Sequence, residues 1–247
     1  MTKVIEVKNI KKHYPKASEY SLDHISLTIN KGIKLGVFGP NGAGKTTLIS
    51  MLCQIITPTS GSITYYDNDL VLNSKAFLNT IGYVPQELSF YEELTAYQNL
   101  RYFGALYKIP SNTLNNRIEE LLKVLGLENV MNDKITTFSG GMKRRINLAI
   151  GIVNQPSILF LDEPTVGVDV QSKNAIMTYL EELNSQGTTI IYTSHHLNEA
   201  ENFCNKIVLL DNGKLIAHDD LKELIKEYNA ENLQALFLKL TGTKYRD

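Results

Sequence analysis

The sequence predicts an α/β protein with a mainly parallel sheet at its core, because the hydrophobic period changes twice along the chain. Alternating apolar and polar residues over 25–29, followed by a glycine turn at 30–32, predict an antiparallel β layer near the N-terminus. Leucine and isoleucine at helical spacing over 114–125 predict an inserted helical subdomain. From Ile158 onwards short apolar strands alternate with helical stretches, which is typical of a parallel sheet covered by helices.

Charge and hydropathy exclude several classes of protein. The 25 Lys and Arg residues nearly balance the 26 Asp and Glu residues, which leaves a net charge of −1 at pH 7. Balanced charge provides no broad positive field for nucleic acid or an anionic membrane, so we expect no nucleic-acid partner. The longest apolar run, residues 148–153, is far shorter than a membrane-spanning helix, which needs about 20 residues. The N-terminal residues are polar and lack the apolar segment of a signal peptide. We therefore expect a cytoplasmic protein.

A glycine-rich segment follows the apolar stretch 33–38 and precedes a helical pattern. It fits G-x-x-x-x-G-K-[ST], which in this context of strand, loop and helix is typical of a phosphate-binding loop, or P-loop. Main-chain N–H groups of such a loop surround phosphate oxygens, the lysine reaches the β- and γ-phosphates, and the threonine hydroxyl is a ligand for Mg²⁺. The sequence therefore predicts a P-loop NTPase core whose loop consists of Gly39, Pro40, Asn41, Gly42, Ala43, Gly44, Lys45 and Thr46.

Two adjacent carboxylates end the apolar strand predicted at 158–161. Because neighbouring side chains on an extended chain project differently, Asp162 and Glu163 can take separate roles. Asp162 is a candidate Mg²⁺ ligand, and Glu163 is a candidate general base for the attacking water.

A second helix start also has the character of an anion site. Ser139 suits the N-cap of a helix, and Gly140 and Gly141 leave room for the close approach of a ligand. The alternative is an ordinary helix start, in which residues 143–145 form a solvated basic face.

Taken together, these motifs resemble those of the nucleotide-binding subunits of ATP-binding-cassette (ABC) transporters, in the same order and over essentially the whole chain. The resemblance implies that ATP is the nucleotide and Mg²⁺ its metal. It extends the P-loop, called Walker A in this family, to Thr47. It makes 139–141 the signature motif, and Asp162 and Glu163 the Walker B pair.

The same resemblance assigns residues that carry little signal on their own. It implies that Gln86 is a metal-sensing glutamine, that His195 contacts the γ-phosphate, and that Val168 and Asp169 belong to a loop that bridges a dimer. It also implies that Tyr14 stacks on adenine, with Tyr20 as the nearby alternative.

The resemblance further implies a single ABC ATPase domain over residues 1–247. Its nucleotide-binding core would span 1–87 and 152–215, its helical signature subdomain 88–151 and its C-terminal tail 216–247. The implied partners are a transmembrane permease, which would hold the subunit at the cytoplasmic face of the membrane, and a second copy or a related cassette.

A narrower resemblance concerns cassettes that export drugs, lipids or polysaccharides, including daunorubicin-resistance ATPases. It rests on residues 138–145, 163–169 and 237–242, and it favours export. The sequence leaves two alternatives to a transport ATPase: a soluble ABC ATPase that acts on ribosomes or DNA, and a nucleotide-binding regulator that does not hydrolyse ATP.

The permease contact is predicted on the segment that follows Gln86. Thr95 and Gln98 fit a capping box, which predicts a helix from Thr95 to about Tyr107. The apolar face of this helix is wider than its own core requires. We expect the permease to dock among aromatic side chains here, the alternative being that they fill the helical core: Phe90, Tyr91, Tyr97 and Tyr102.

Overall fold

The computed structural model describes residues 2–68, 70–194 and 197–242. Within these residues the strands are β1 (Lys3–Lys12), β2 (Leu22–Asn30), β3 (Lys34–Phe38), β4 (Ser60–Asp67), β5 (Leu70–Val71), β6 (Ile81–Val84), β7 (Ile158–Asp162), β8 (Thr189–Thr193), β9 (Lys206–Asp211) and β10 (Lys214–Asp220). The helices are α1 (Lys45–Leu52), α2 (Ser74–Leu78), α3 (Ala96–Leu106), α4 (Ser111–Val124), α5 (Gly140–Ile152), α6 (Val170–Ser185), α7 (Leu197–Phe203), α8 (Leu221–Glu227) and α9 (Leu233–Thr241). The chain forms two compact units, residues 1–78 with 189–247, and residues 79–188.

The first unit contains the predicted antiparallel layer. Strand β1 pairs antiparallel with both β2 and β4, and β5 extends the layer beyond β4. Ile25, Leu27 and Ile29 are buried, as the alternation over 25–29 predicts, and Ile5 and Ile10 of β1 are also fully buried. This prediction is confirmed.

Parallel strands form the other sheet of the first unit. Strand β3 pairs in parallel with β8 on one side and β9 on the other, so its side chains are buried on both faces. Strand β10 returns antiparallel to β9 through a turn at Asn212 and Gly213, whose φ angles are 46° and 72°. Two positive φ angles in a two-residue turn are typical of a tight hairpin.

In the second unit, β6 and β7 pair in parallel, with Ile81 opposite Ile158. Helix α5 lies close against β6. A Cβ atom at Gly82 would be 2.1 Å from the carbonyl oxygen of Gly151, so the position requires glycine. This close packing holds α5 against β6.

The second unit also contains α3, α4 and α6. The capping box at the start of α3 is confirmed: Gln98 N donates to Thr95 Oγ1 at 3.1 Å, and Thr95 N donates to Gln98 Oε1 at 2.9 Å. Helix α4 buries the leucine and isoleucine side chains of the predicted helical pattern. Leu114 packs into the space that Gly104 leaves on α3.

The predicted α/β class is therefore confirmed, with parallel strands, an N-terminal antiparallel layer and a helical segment. The predicted helical subdomain, 88–151, lies inside the second unit, although its boundaries stay a prediction. Among residues 2–68, 70–194 and 197–242, no helix has both the length and the apolar character to cross a bilayer.

Candidate functional site

The P-loop joins β3 to α1 in the first unit, as predicted. Gly42 and Gly44 have φ angles of 78° and 102°, in the region that only glycine adopts readily. A Cβ atom at Gly44 would lie 2.5 Å from the carbonyl oxygen of Ser21, so this glycine is also required by close contact.

Lys45 begins α1, and it is buried with 8% of its surface exposed. Its Nζ atom donates to the carbonyl oxygens of Gly39 at 2.8 Å and Pro40 at 3.1 Å, which holds the ammonium group against the loop. Within the described part of the chain, no side chain caps the N-terminus of α1, whose N-cap is Gly44. An uncapped helix start beside a lysine is a suitable site for phosphate oxygens.

The loop is braced by segments that the sequence did not single out. Gly213 N donates to the carbonyl oxygen of Ala43 at 3.2 Å, and Asp23 N donates to that of Gly213 at 2.7 Å. A Cβ atom at Gly39 would be 2.3 Å from the carbonyl oxygen of Leu210. The dipeptide Asn212-Gly213 is typical of a hairpin turn, but nothing in the local sequence indicates that this turn contacts the P-loop.

The two carboxylates end β7 in the second unit. Asp162 is 3% exposed and Glu163 is 5% exposed. Glu163 has φ of 51° and precedes Pro164, which disfavours right-handed helical backbone at Glu163. Left-handed backbone at a non-glycine residue costs about 1–3 kcal/mol, and such strain is concentrated at functional sites. The backbone conformation therefore changes between Asp162, the last residue of β7, and Glu163.

Ser139 is the N-cap of α5, as predicted: Met142 N donates to Ser139 Oγ at 3.3 Å. Ser139 and Gly140 are exposed at this helix start, whereas Gly141 is buried. A Cβ atom at Gly141 would lie 2.3 Å from Ser172 Oγ. Gly141 therefore has a packing role, and Ser139 and Gly140 are the accessible part of the motif.

Asp169 is the N-cap of α6. Its Oδ1 accepts from Ser172 N at 2.9 Å and its Oδ2 accepts from Ser172 Oγ at 2.8 Å. These hydrogen bonds lower the pKa of Asp169 below its ordinary value, although burial acts in the opposite direction. The loop predicted to bridge a dimer therefore ends in a well-formed cap, beside the signature helix.

The basic face predicted as the alternative at 143–145 does not form. Arg144 is 8% exposed, and its guanidinium donates to the main-chain carbonyl oxygens of Gln86 and Val166. Arg145 Nη1 donates to the carbonyl oxygen of Leu125, and Lys143 pairs with Glu92. Arg144 lies three residues after the buried Gly141, so the two residues share one face of α5.

Tyr14 and Tyr20 both lie in the first unit and are 38% and 45% exposed. Lys12 Nζ is 5.2 Å from the centre of the Tyr14 ring, and the His13 and Tyr20 rings meet edge to face at 5.1 Å. Either exposed ring is able to stack on a base, so the choice of Tyr14 stays a prediction. His195 lies outside the described residues.

The oxygen donors predicted for Mg²⁺ are distributed over the two units. Thr46 belongs to the first unit, and Gln86 and Asp162 belong to the second. Hydroxyl, amide and carboxylate oxygens are hard donors of the kind that Mg²⁺ prefers, so the donor chemistry fits this ion. In the described part of the chain, no three His, Cys, Asp or Glu residues are placed to hold a metal by themselves.

Comparison with known proteins agrees with these features. A family model described as ABC transporter matches residues 22–166. The chain is 42% identical over 214 residues to the linearmycin resistance ATP-binding protein LnrL of Bacillus subtilis (strain 168), covering 87% of this chain and 68% of the relative. It is 33% identical over 225 residues to the Nod factor export ATP-binding protein I of Cupriavidus pinatubonensis, covering 91% and 69%. A solved dimeric ATP-binding cassette in a post-hydrolysis state, bound to ADP and Pi, matches with TM-score 0.78 and 27% identity over 88% of this chain and 98% of that chain.

Proposed function

This chain belongs to the ABC transporter family, and we propose that it pairs with a second copy or a related cassette to power a separate transmembrane permease. The chain is an ATP-binding and ATP-hydrolysing transporter subunit. The alternatives of an ATPase acting on ribosomes or DNA, and of a regulator without hydrolysis, are therefore not supported.

The observation that carries the pairing is the presence of two different helix starts suited to phosphate. Helix α1 begins at the P-loop with Lys45, and helix α5 begins with exposed Ser139 and Gly140. The N-terminus of a helix carries partial positive charge, so each start favours an anion. We infer that the P-loop of one copy and the signature of the other bind the same ATP, as the dimeric form of the related cassette supports.

Within each shared site, the P-loop residues 39–47 would hold the phosphates, with Lys45 at the β- and γ-phosphates. Glu163 would accept a proton from the attacking water, and His195 would contact the γ-phosphate. Tyr14 would stack on the adenine. Ser139 and Gly140 of the opposite copy would face the γ-phosphate, and Gly141, packed against Ser172, would complete the signature turn behind them.

Thr46, Gln86 and Asp162 are the residues that would hold Mg²⁺. When bound, the ion neutralises charge on the β- and γ-phosphate oxygens. The role of this chain's own groups is to orient the nucleotide and to activate the water at Glu163, which is buried and conformationally strained.

Export is the direction that we propose. LnrL is described as a resistance protein, and the Cupriavidus relative as an export protein. Both align with more than 85% of this chain. The permease would hold the subunit at the cytoplasmic face of the membrane.

We propose that the permease docks among the predicted aromatic side chains of the second unit, Phe90, Tyr91, Tyr97 and Tyr102. Tyr91 and Tyr102 form an aromatic cluster with Phe103. The Tyr91 and Tyr102 rings meet at 5.1 Å, and both side chains are about half exposed, at 50% and 44%. Helix α3 buries the opposite side, with Ala96 and Leu100 inside the unit. Aromatic side chains are enriched at the centres of protein interfaces, so this cluster suits a partner.

Two defective variants test whether ATP sites are shared. Ser139→Arg damages the signature and Lys45→Ala damages the P-loop, both in a Glu163→Gln background that slows hydrolysis. Neither variant alone should form ATP-dependent dimers, whereas the mixture should form heterodimers with one intact site, as measured by light scattering after size-exclusion chromatography. If the Glu163→Gln protein dimerises in ATP and the mixture does not, sites are not shared between copies.

A further inference from the structure

The second unit contains a buried arginine one helical turn after the signature motif. Arg144 lies on α5 and is 8% exposed. Its Nη1 donates to the main-chain carbonyl oxygen of Gln86 at 2.7 Å, and its Nη2 donates to that of Val166 at 3.3 Å. One guanidinium therefore joins three segments: the signature helix, the loop of Gln86, and the loop that follows Glu163.

The neighbouring turn of α5 holds the same loop from a second point. Asn147, three residues after Arg144, is 2% exposed. Its Oδ1 accepts from Ser89 N at 2.9 Å, and its Nδ2 donates to the carbonyl oxygen of Pro85 at 3.3 Å. The segment from Pro85 to Ser89 is thus tied to one face of α5 on both sides of Gln86.

The loop after β7 is tied to the same arginine. Val166 N donates to the carbonyl oxygen of Glu163 at 3.3 Å, which closes a turn between Glu163 and the carbonyl that Arg144 binds. Burial lowers the pKa of Arg144, and the negative charge of Glu163 opposes that shift. The guanidinium therefore lies within electrostatic reach of the proposed general base.

Stability alone is a weak reason for this arrangement. Removing a cation from water is costly, and apolar residues of similar volume often replace buried charges without loss of stability. Arginine differs from lysine because its planar fork donates in two fixed directions at once. The two carbonyl oxygens lie on separate loops, so a fork is the group that fixes both.

We propose that Arg144 is a positioning residue for ATP hydrolysis, holding the main chain at Gln86 and the turn after Glu163 in a fixed relation to the signature helix. This inference rests on the proposed roles of Gln86 and Glu163. Arg144 acts through these groups. Its side chain donates to main-chain carbonyls, which leaves the side chains of Gln86 and Glu163 to do the chemistry.

Arg144→Lys tests the proposal, since it keeps the charge and removes the fork. A misplacement of about 1 Å can cost about 100-fold in rate, so we expect kcat for ATP hydrolysis to fall about 10- to 100-fold. The KM and Kd for ATP should change less than about threefold, because the P-loop is untouched. Arg144→Met is a second variant, which replaces the charge by an apolar side chain. Its kcat should also be low, whereas its melting temperature should be close to that of the wild type.

Arg117→Lys is the matched control. Arg117 lies on α4 in the same unit, and its guanidinium also binds a carbonyl oxygen, that of Val153 at 2.7 Å, together with Gln155 Oε1 at 2.7 Å. Burial lowers the pKa of Arg117 as well. Because its partners lie away from Gln86 and Glu163 in sequence and on other elements, kcat of Arg117→Lys should stay within about twofold of wild type.

Three outcomes overturn the proposal. The first is a kcat of Arg144→Lys within twofold of wild type, and the second is a loss of kcat in Arg117→Lys equal to that in Arg144→Lys. The third is that both Arg144 variants fail to fold while Arg117→Lys folds. The third would make Arg144 a residue of stability only. The roles on which the proposal rests are tested separately by Glu163→Gln. Full activity of Glu163→Gln contradicts the proposed function, whereas an inactive Glu163→Gln with an unaffected Arg144→Lys contradicts this inference alone.

Discussion

The side chain of Asn99 forms a reciprocal pair of hydrogen bonds with the main chain of Tyr91. Tyr91 N donates to Asn99 Oδ1 at 2.9 Å, and Asn99 Nδ2 donates to the carbonyl oxygen of Tyr91 at 2.9 Å. Asn99 is fully buried, and its Nδ2 also donates to the carbonyl oxygen of Thr95 at 3.0 Å. A buried side chain thus fixes the main chain of Tyr91, while its ring remains half exposed beside Tyr102.

Asn99→Ala should destabilise the second unit. Each buried polar group left without a partner costs about 1–3 kcal/mol, so the free energy of unfolding should fall by at least about 1 kcal/mol in urea titrations. Asn112→Ala, at an exposed position of α4, should stay within about 0.5 kcal/mol of wild type. Equal unfolding midpoints for the two variants would show that the Asn99 hydrogen bonds contribute nothing.

Tyr91→Ala should separate docking from folding. Asn99 binds the main chain of Tyr91, which the substitution retains, so the chain should stay folded and bind ATP. Truncation of an aromatic side chain at an interface hot spot costs at least about 2 kcal/mol, which corresponds to about 30-fold weaker binding to the permease. Co-purification of the permease from membranes measures this loss.

Val124→Ala is the control for docking, because Val124 is 44% exposed at the end of α4 in the same unit. It should leave permease binding unchanged. If Tyr91→Ala unfolds or loses ATP binding while the complex still forms, the aromatic side chains are core residues and the docking surface lies elsewhere.

Gly44→Ala and Gly42→Ala should differ in severity. Both positions have positive φ, so alanine is strained at each by about 1 kcal/mol. At Gly44 the new Cβ atom would lie 2.5 Å from the carbonyl oxygen of Ser21. At Gly42, among the described residues other than its two chain neighbours, no atom would lie within 4 Å of the new Cβ atom. The Kd for ATP of Gly44→Ala should therefore be at least tenfold higher than that of Gly42→Ala, as measured by fluorescence titration. Equal Kd values for the two variants would contradict the proposed packing of the loop.

His218 on β10 should give the protein a pH-dependent stability. Burial lowers its pKa from an ordinary value of 6.5, Lys206 acts in the same direction, and Asp219 opposes them. A depressed histidine pKa means that the unfolded chain binds more protons, so stability is complete above pH 6.5 and is lost as the pH falls below it.

His218→Leu should therefore reduce the fall in melting temperature between about pH 7 and pH 5.5. His13→Asn, at a partly exposed position in the same unit, should retain the wild-type fall. An identical pH dependence for wild type and His218→Leu would exclude His218 as its source.

Local patterns predicted the elements that depend on nearby residues. The P-loop and the capping box at Thr95 each occupy a few consecutive residues, and the structure forms both as predicted. The environment of Arg144 was not predictable in this way. Its partners lie 58 and 22 residues away and are main-chain carbonyl oxygens, which every residue has and no sequence pattern marks.

The packing of Gly141, the second glycine of the signature, was also not predictable from the local sequence. The sequence favoured a space for a ligand at Gly141, whereas a Cβ atom there would meet Ser172 and Asp169. Asp169 caps α6, which begins at Val170, whereas α5 ends at Ile152. The contact depends on how two helices pack, and hydrophobic spacing within either helix does not reveal it.

The most direct test of the account is the rate of phosphate release by Glu163→Gln compared with wild type. General-base catalysis contributes about 10²- to 10⁴-fold, so the release of phosphate should fall by that factor while ATP binding remains. Glu119→Gln, at an exposed glutamate of α4, should keep the wild-type rate. Phosphate release by Glu163→Gln within a few-fold of wild type would contradict the assignment of Glu163 as the group that activates water.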